Sequence, residues 1–282
     1  MALPVQLPRT VPVRIDRCQL GGPPPRGGAV ESEPAGRRVE FRVADHVDVG
    51  RETHPPEASA RGLLLVMPLL LLDLDNTLVD RDAAFRTAVA HFLAEHGLPD
   101  SDLTWVTTID ASGYTARHEV AAALAERYGD VVPTAAIRAL LDNGFADHVF
   151  LTRSSREALV KAQADGWTCV IVTNGRTIRQ EAKIRNTGLD QLVQGWVISE
   201  TVGHKKPEPE IFHAAAAAVG LPLPGAWVIG DSPHADVAGA EALGLRSVWV
   251  TDGRPWSQDS YQPTHTAKDI ASAIGHAMRN QG

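Results

Sequence analysis

Leu63-Leu64-Leu65-Val66-Met67-Pro68-Leu69-Leu70-Leu71-Leu72 is the most apolar run in the chain, and it stops at Asp73-Leu74-Asp75-Asn76-Thr77. Its ten residues fall well short of the ~20 a membrane-spanning helix needs. A short continuous apolar run closed by polar residues marks a strand buried on both faces of a parallel sheet. The reading is therefore a strand over Leu69–Leu74 whose carboxyl end carries two aspartates.

Working outward, the apolar periodicity changes character. Ala84-Phe85, Ala88-Val89 and Phe92-Leu93 recur at helical spacing, and the stretch from Ala83 to Phe150 reads as mostly helical, broken at Gly97, Gly113, Gly129 and Pro133. Strands then alternate with helices. Strands are predicted at Thr168–Thr173, Gly195–Ser199, Trp227–Gly230 and Ser247–Val250, and helices near Glu157–Ala164, Ile178–Thr187, Pro209–Val219, Ala235–Leu243 and Ala267–Met278. That alternation is an α/β fold with a parallel sheet. The helical block is too long for a simple crossover and reads as an inserted helical domain over 81–151, with the core at 67–80 and 152–282.

In such sheets ligands bind at the carboxyl ends of the strands. Four polar motifs fall there: Asp73-Leu74-Asp75-Asn76-Thr77, Thr173-Asn174-Gly175, Lys205-Lys206-Pro207 and Gly230-Asp231-Ser232-Pro233-His234-Ala235-Asp236. Each alone has a plain reading. Asp-x-Asp-x-Thr suits a capped turn or a sugar-nucleotide transferase metal motif, and Thr-Asn-Gly is a common turn. Together, in order and each at its own strand end, they describe phosphoryl chemistry. A carboxylate, Asp73, can attack phosphorus and split a hard hydrolysis into two easier steps. An anion meeting an anionic phosphate needs a divalent cation. Mg2+ takes oxygen ligands, which Asp73, Asp231 and the backbone carbonyl of Asp75 can supply, with Asp236 as ligand or supporting acid. Asp75 can protonate the leaving oxygen and later activate water. Thr173 and the amides of Asn174 and Gly175 can hold phosphate oxygens, and Lys206 can offset the developing charge.

Asp73-x-Asp75-x-Thr77-Leu78, Thr173-Asn174-Gly175, Lys206-Pro207 and Gly230-Asp231-x4-Asp236 resemble, over about 68–280, the four motifs of the haloacid dehalogenase (HAD) superfamily. The resemblance implies a Rossmann-like core with an all-helical C1-type cap and Mg2+-dependent phosphatase activity through a phospho-aspartate. It implies Asp73 as nucleophile, Asp75 as acid/base, Thr173 as phosphate ligand, Lys206 as stabilising lysine, and Asp231 with Asp236 at the metal. Lys205 is set aside because the family's lysine directly precedes the proline. Asp75 speaks against dehalogenation, since haloacid dehalogenases lack an aspartate there and have no alkoxide to protonate. A sugar phosphomutase keeps both aspartates and stays open as the alternative, with a non-catalytic binding protein behind it. Val172–Gly175 with Gln180, Lys183 and Thr187-Gly188-Leu189, then Val197–Glu200, is similar to the branch of pyrimidine 5′-nucleotidases and acylneuraminate-9-phosphatases.

Composition fits a soluble globular chain: 44% hydrophobic, 22% charged, net charge −7 over 282 residues. That acidity excludes a general binder of nucleic acid or anionic membrane, and two cysteines, Cys18 and Cys169, exclude a disulfide scaffold. A cytoplasmic location and a small phosphomonoester partner are expected. Residues 1–60 hold 9 of the 19 prolines and balance eight arginines with eight acids, so 1–66 reads as a disordered extension, with Met67 as a candidate natural start. In the helical insertion, Asp82, Phe85, Arg86, Asp110, Tyr114, Arg117 and His118 are candidate substrate contacts, although Phe85 and Phe92, seven apart, suit internal packing. Trp167, Trp196, Trp227, Trp249 and Cys169 read as core.

Overall fold

The computed structural model describes residues 67–142 and 145–281; the extension expected over 1–66 lies outside the described residues. Six strands form one parallel sheet: β1 (Leu69–Leu72), β2 (Thr168–Thr173), β3 (Gly195–Ile198), β4 (Trp227–Gly230), β5 (Arg246–Val250) and β6 (His265–Ala267), in the spatial order β3-β2-β1-β4-β5-β6.

The leucine run sits at the centre because neighbouring residues of a strand face opposite ways. Leu70 pairs with Cys169 on one side and Trp227 on the other. Leu70 and Leu72 join one apolar cluster, with Leu159 of α5 (Arg153–Ala164) and Ile274 of α10 (Ile270–Arg279). Leu69 and Leu71 join the opposite cluster, with Ile211, Phe212 and Ala215 of α8 (Pro209–Ala218). All four leucines are buried, each contributing about 1.5–3 kcal/mol relative to exposure. This two-sided burial is why the run shows no alternation.

Between β1 and α5 the chain builds α1 (Arg81–Glu95), α2 (Asp102–Asp110), α3 (Arg117–Tyr128) and α4 (Thr134–Asp142). Asp80 caps α1 by accepting from the Ala83 amide at 2.8 Å. Phe85 and Phe92 are both buried, and Phe85 meets Phe145 edge-on at 5.7 Å between centroids. The four tryptophans read as core and Cys169 are buried as expected.

Three departures from the sequence reading matter for the site or the sheet edge, besides shifts of one to four residues at other ends. β1 ends at Leu72: the Asp73 amide still donates to the Ile229 carbonyl at 2.9 Å, but Asn76 takes a positive φ of 57° and the chain folds back, with the Leu78 amide donating to the Leu74 carbonyl at 3.0 Å. The helix expected over Ala235–Leu243 is a π-helical turn, Pro233–Ala238, followed by the short α9 (Gly239–Ala242). Ala267, expected to open a helix, closes β6; three residues are too few to display a strand period. The last helix begins after Asp269, whose side chain accepts from the Ser272 amide at 2.8 Å. Short α7 (Ser199–Val202) follows β3 directly, and α6 (Thr177–Asn186) follows β2.

Candidate active site

Because β1, β2 and β4 are adjacent and parallel, their carboxyl ends bring Asp73, Thr173 and Gly230-Asp231 to one edge of the sheet. Asp73 is buried there. Its Oδ1 lies 2.6 Å from Lys206 Nζ, and its Oδ2 accepts from the Thr77 hydroxyl at 3.0 Å. Lys206 Nζ also donates to Asp236 Oδ1 at 2.7 Å, so one buried ammonium joins two carboxylates. The π-helical turn carries Asp236 back toward β4, where its Oδ2 accepts from the Ser232 amide at 3.0 Å. A Cβ on Gly230 would lie 2.1 Å from that oxygen, so only glycine permits this approach.

Asp231 completes the cluster. Its carboxylate accepts from Arg254 Nη2 at 3.0 Å, and its backbone carbonyl accepts from Trp249 Nε1 at 2.8 Å. Oxygens of Asp73, Asp231 and Asp236 all lie within 4.8 Å of one another. Burial, reinforced by Asp236 and Asp75 against the pull of Lys206, raises the Asp73 carboxyl to about 6. Burial, Asp73 and Asp236 raise Asp231 to about 8 against Arg254. Lys206 stays firmly charged: burial opposes it, but Asp236 and Asp73 outweigh burial. Three buried carboxylates sharing so few cations are short of positive charge, and an all-oxygen donor set is what Mg2+ prefers. The residues present fit that ion.

Asp75 faces a different partner. Lys183 Nζ lies 2.6 and 2.8 Å from its two oxygens, and Gln180 Nε2 donates to Oδ2 at 2.9 Å. Burial pushes this carboxyl upward, but Lys183 and Gln180 prevail and hold it below the usual range. Gln180 also donates to Thr173 Oγ1 at 2.6 Å, linking the first two motifs. The Asn174 side chain clamps the lysine loop, donating to the Lys206 carbonyl at 3.0 Å and accepting from its amide at 2.8 Å. The Gly175 amide donates to Ser199 Oγ at 3.0 Å. Of the three residues expected to contact phosphate, Thr173 is thus joined to Asp75 through Gln180, while Asn174 and Gly175 brace neighbouring loops.

The cluster opens into a cleft of about 970 Å³ between strand ends and helical block. Tyr114 and Arg117, expected as contacts, line it. Tyr114 donates its hydroxyl to Ser232 Oγ at 3.0 Å. Asp110 is buried behind the wall, Phe85 packs inside, and Arg86 and His118 are exposed and away from the cleft; Asp82 bonds Arg81. Sequence reasoning missed Arg81, Phe145, Arg179 and Arg254 as site residues. Gln180 and Lys183 entered it only through a family resemblance, although their spacing of three on one helix places them on one face.

The model of the haloacid dehalogenase-like hydrolase family matches residues 67–244. The chain is 28% identical to glyceraldehyde 3-phosphate phosphatase of Pyrococcus abyssi, over 67% of this chain and 83% of that protein. It is 30% identical to a phosphoglycolate phosphatase of Cereibacter sphaeroides, over 66% of this chain and 86% of that one. Among solved structures, the magnesium-bound HAD-hydrolase YfnB of Bacillus subtilis superimposes with a TM-score of 0.62 at 23% identity, covering 74% of this chain and 98% of that one. The chain belongs to the haloacid dehalogenase-like hydrolase family.

Proposed function

We propose that this hydrolase cleaves small phosphomonoesters by way of a phospho-aspartate on Asp73. The observation that carries the reading is the buried Asp73–Lys206–Asp236 triad beside Asp231, with Asp75 two residues from Asp73 and separately held. The phosphatases among its relatives support it.

An Asp73 oxygen attacks phosphorus as the ester P–O bond breaks. Asp75 gives a proton to the leaving oxygen. The resulting Asp75 carboxylate then takes a proton from water, whose oxygen attacks phosphorus and frees Asp73 and phosphate. In the resting state Lys183 keeps Asp75 ionised; an arriving phosphate anion favours its protonated form, which is the form the first step needs. Thr173 and backbone amides orient phosphate oxygens, and Lys206 meets the charge that develops on them. Mg2+, held by Asp73, Asp231 and the Asp75 carbonyl with Asp236 in support, would supply the positive charge that lets two anions meet. The helical block would act as a cap domain (81–151) over the core (67–80 and 152–282), selecting the substrate.

Among the described residues no helix is long and apolar enough to cross a membrane. A cytoplasmic location belongs to the same proposal, supported by the free, buried thiol of Cys169.

The test is phosphate release from nucleoside monophosphates, sugar phosphates, phosphoglycolate and p-nitrophenyl phosphate with Mg2+. Asp73→Asn and chelation should both abolish it. Absence of release from every compound by folded protein, or isomerisation of a sugar phosphate instead, would overturn the reading.

A further inference from the structure

One wall of the cleft is built from cations. Arg81, Arg117, Arg179 and Lys183 all line it. Three of them crowd a single ring: Lys183 Nζ lies 5.1 Å, Arg117 Cζ 5.2 Å and Arg81 Cζ 5.3 Å from the Phe145 centroid. The carboxylates that steady the guanidiniums, Asp82, Asp110 and Asp142, are not part of the cleft wall. Asp110 serves two arginines at once. It accepts both forks of Arg81, and Arg117 Nη1 at 3.0 Å. Arg179 pairs with Asp142, which is half exposed.

Asp82 gives Arg81 a further contact at 2.8 Å, but Asp82, Asp110 and Asp142 all stand outside the cleft lining, so the guanidiniums meet the cleft with no carboxylate of their own network between them and it. Guanidinium forks fixed from behind are prepared to receive a planar or tetrahedral anion in two-point contact. The crowding shows electrostatically as well: burial, together with Arg81 and Arg179, weakens proton binding by Arg117 against the pull of Asp110. The scissile phosphate already has its own partners at the strand ends, so this wall serves another group.

We propose that Arg117, Arg179 and their neighbours bind a second anion of the substrate, so that the preferred phosphomonoester is a small metabolite with a carboxylate or a second phosphate remote from the ester that Asp73 attacks. The assignment rests on the phosphatase reading above. The two anion sources share one recognition chemistry, and matched probes separate them.

The experiment compares kcat/KM for 2-phosphoglycolate with ethyl phosphate, and for propane-1,3-diol bisphosphate with propyl phosphate, with p-nitrophenyl phosphate as reference. The anionic member of at least one pair should be preferred by roughly ten- to hundred-fold, the scale of a charge-assisted contact. R117Q and, separately, R179Q, whose carboxylate partner Asp142 is half exposed, should pull that ratio toward one. The pair showing the larger ratio identifies the anion. Turnover of the reference with ratios near one in both pairs would overturn this inference and leave the phosphatase intact. No turnover of any probe, reference included, would overturn the phosphatase reading and this one with it.

Discussion

Lys183 grips Asp75 through both carboxylate oxygens, at 2.6 and 2.8 Å, and does so from helix α6 rather than from the loop that bears Asp73, the proposed nucleophile. The acid/base candidate is thus tuned by a residue one element away. K183M should leave burial opposed mainly by the Gln180 hydrogen bond and raise the Asp75 carboxyl. The limb of the pH–rate profile belonging to Asp75 then moves to higher pH, and because Asp75 loses the contact that holds both its oxygens in place, kcat falls roughly ten- to hundred-fold. K183R, keeping the charge, should restore much of both. A profile identical to wild type in K183M would remove Lys183 from the mechanism.

Gly230→Ala tests how tightly the Asp236 carboxylate is placed. The new Cβ would meet Asp236 Oδ2 at 2.1 Å and Cγ at 2.2 Å, and Asp236 is already pinned by Lys206 and the Ser232 amide. Something must shift. Thermal melting should show a loss of about 1–3 kcal/mol, with activity falling alongside. An unchanged melting temperature with full activity would mean that Asp236 moves freely.

Asp102 ties α2 to α3 within the helical block, accepting from Arg127 Nε and Nη2 at 3.1 and 2.7 Å and from the Tyr128 hydroxyl at 2.6 Å. Hydrogen bonds from Arg127 and Tyr128 hold its carboxyl below the ordinary 3.8. A depressed carboxyl stabilises the fold fully above its unfolded value and loses that contribution as pH falls through the folded one. The gap in melting temperature between wild type and D102N should therefore be widest near neutral pH and close as pH drops from about 5 to about 3. A gap that does not change with pH would assign the loss to packing instead.

Arg254 touches Asp231 at 3.0 Å from the loop between β5 and β6. Its positive charge opposes entry of a cation at the same carboxylate. R254Q should strengthen Mg2+ binding several-fold, on the order of one partly screened charge interaction, read directly by calorimetric titration of the protein with Mg2+. Weaker binding in R254Q would show that the arginine orients Asp231 rather than competing.

Much of this was legible in the chain. β2 and β4 fall on the expected residues because strands buried on both faces are continuous apolar runs with polar ends. The polar ends of β1, β2 and β4 marked where Asp73, Thr173 and Asp231 converge, since parallel strands align their carboxyl termini. What escaped the reading depends on approach in space. Arg254 and Arg179 sit on polar stretches that look like solvated surface until Asp231 and Asp142 meet them. Arg81 follows a helix cap and shows its role only through Asp110, 29 residues on. β6 is a three-residue edge strand with His265 and Thr266 exposed, too short for periodicity to reveal.

The central claim is that Asp73 takes the phosphoryl group. Acid-quenching a Mg2+-supported turnover of a hydrolysed phosphomonoester and mapping the peptides by mass would test it most directly. Phosphate should appear on the peptide bearing Asp73, be lost in Asp73→Asn, and be absent after chelation, with turnover down roughly a thousand-fold or more in the variant. Steady phosphate release by an Asp73→Asn variant as active as the wild type would contradict the account.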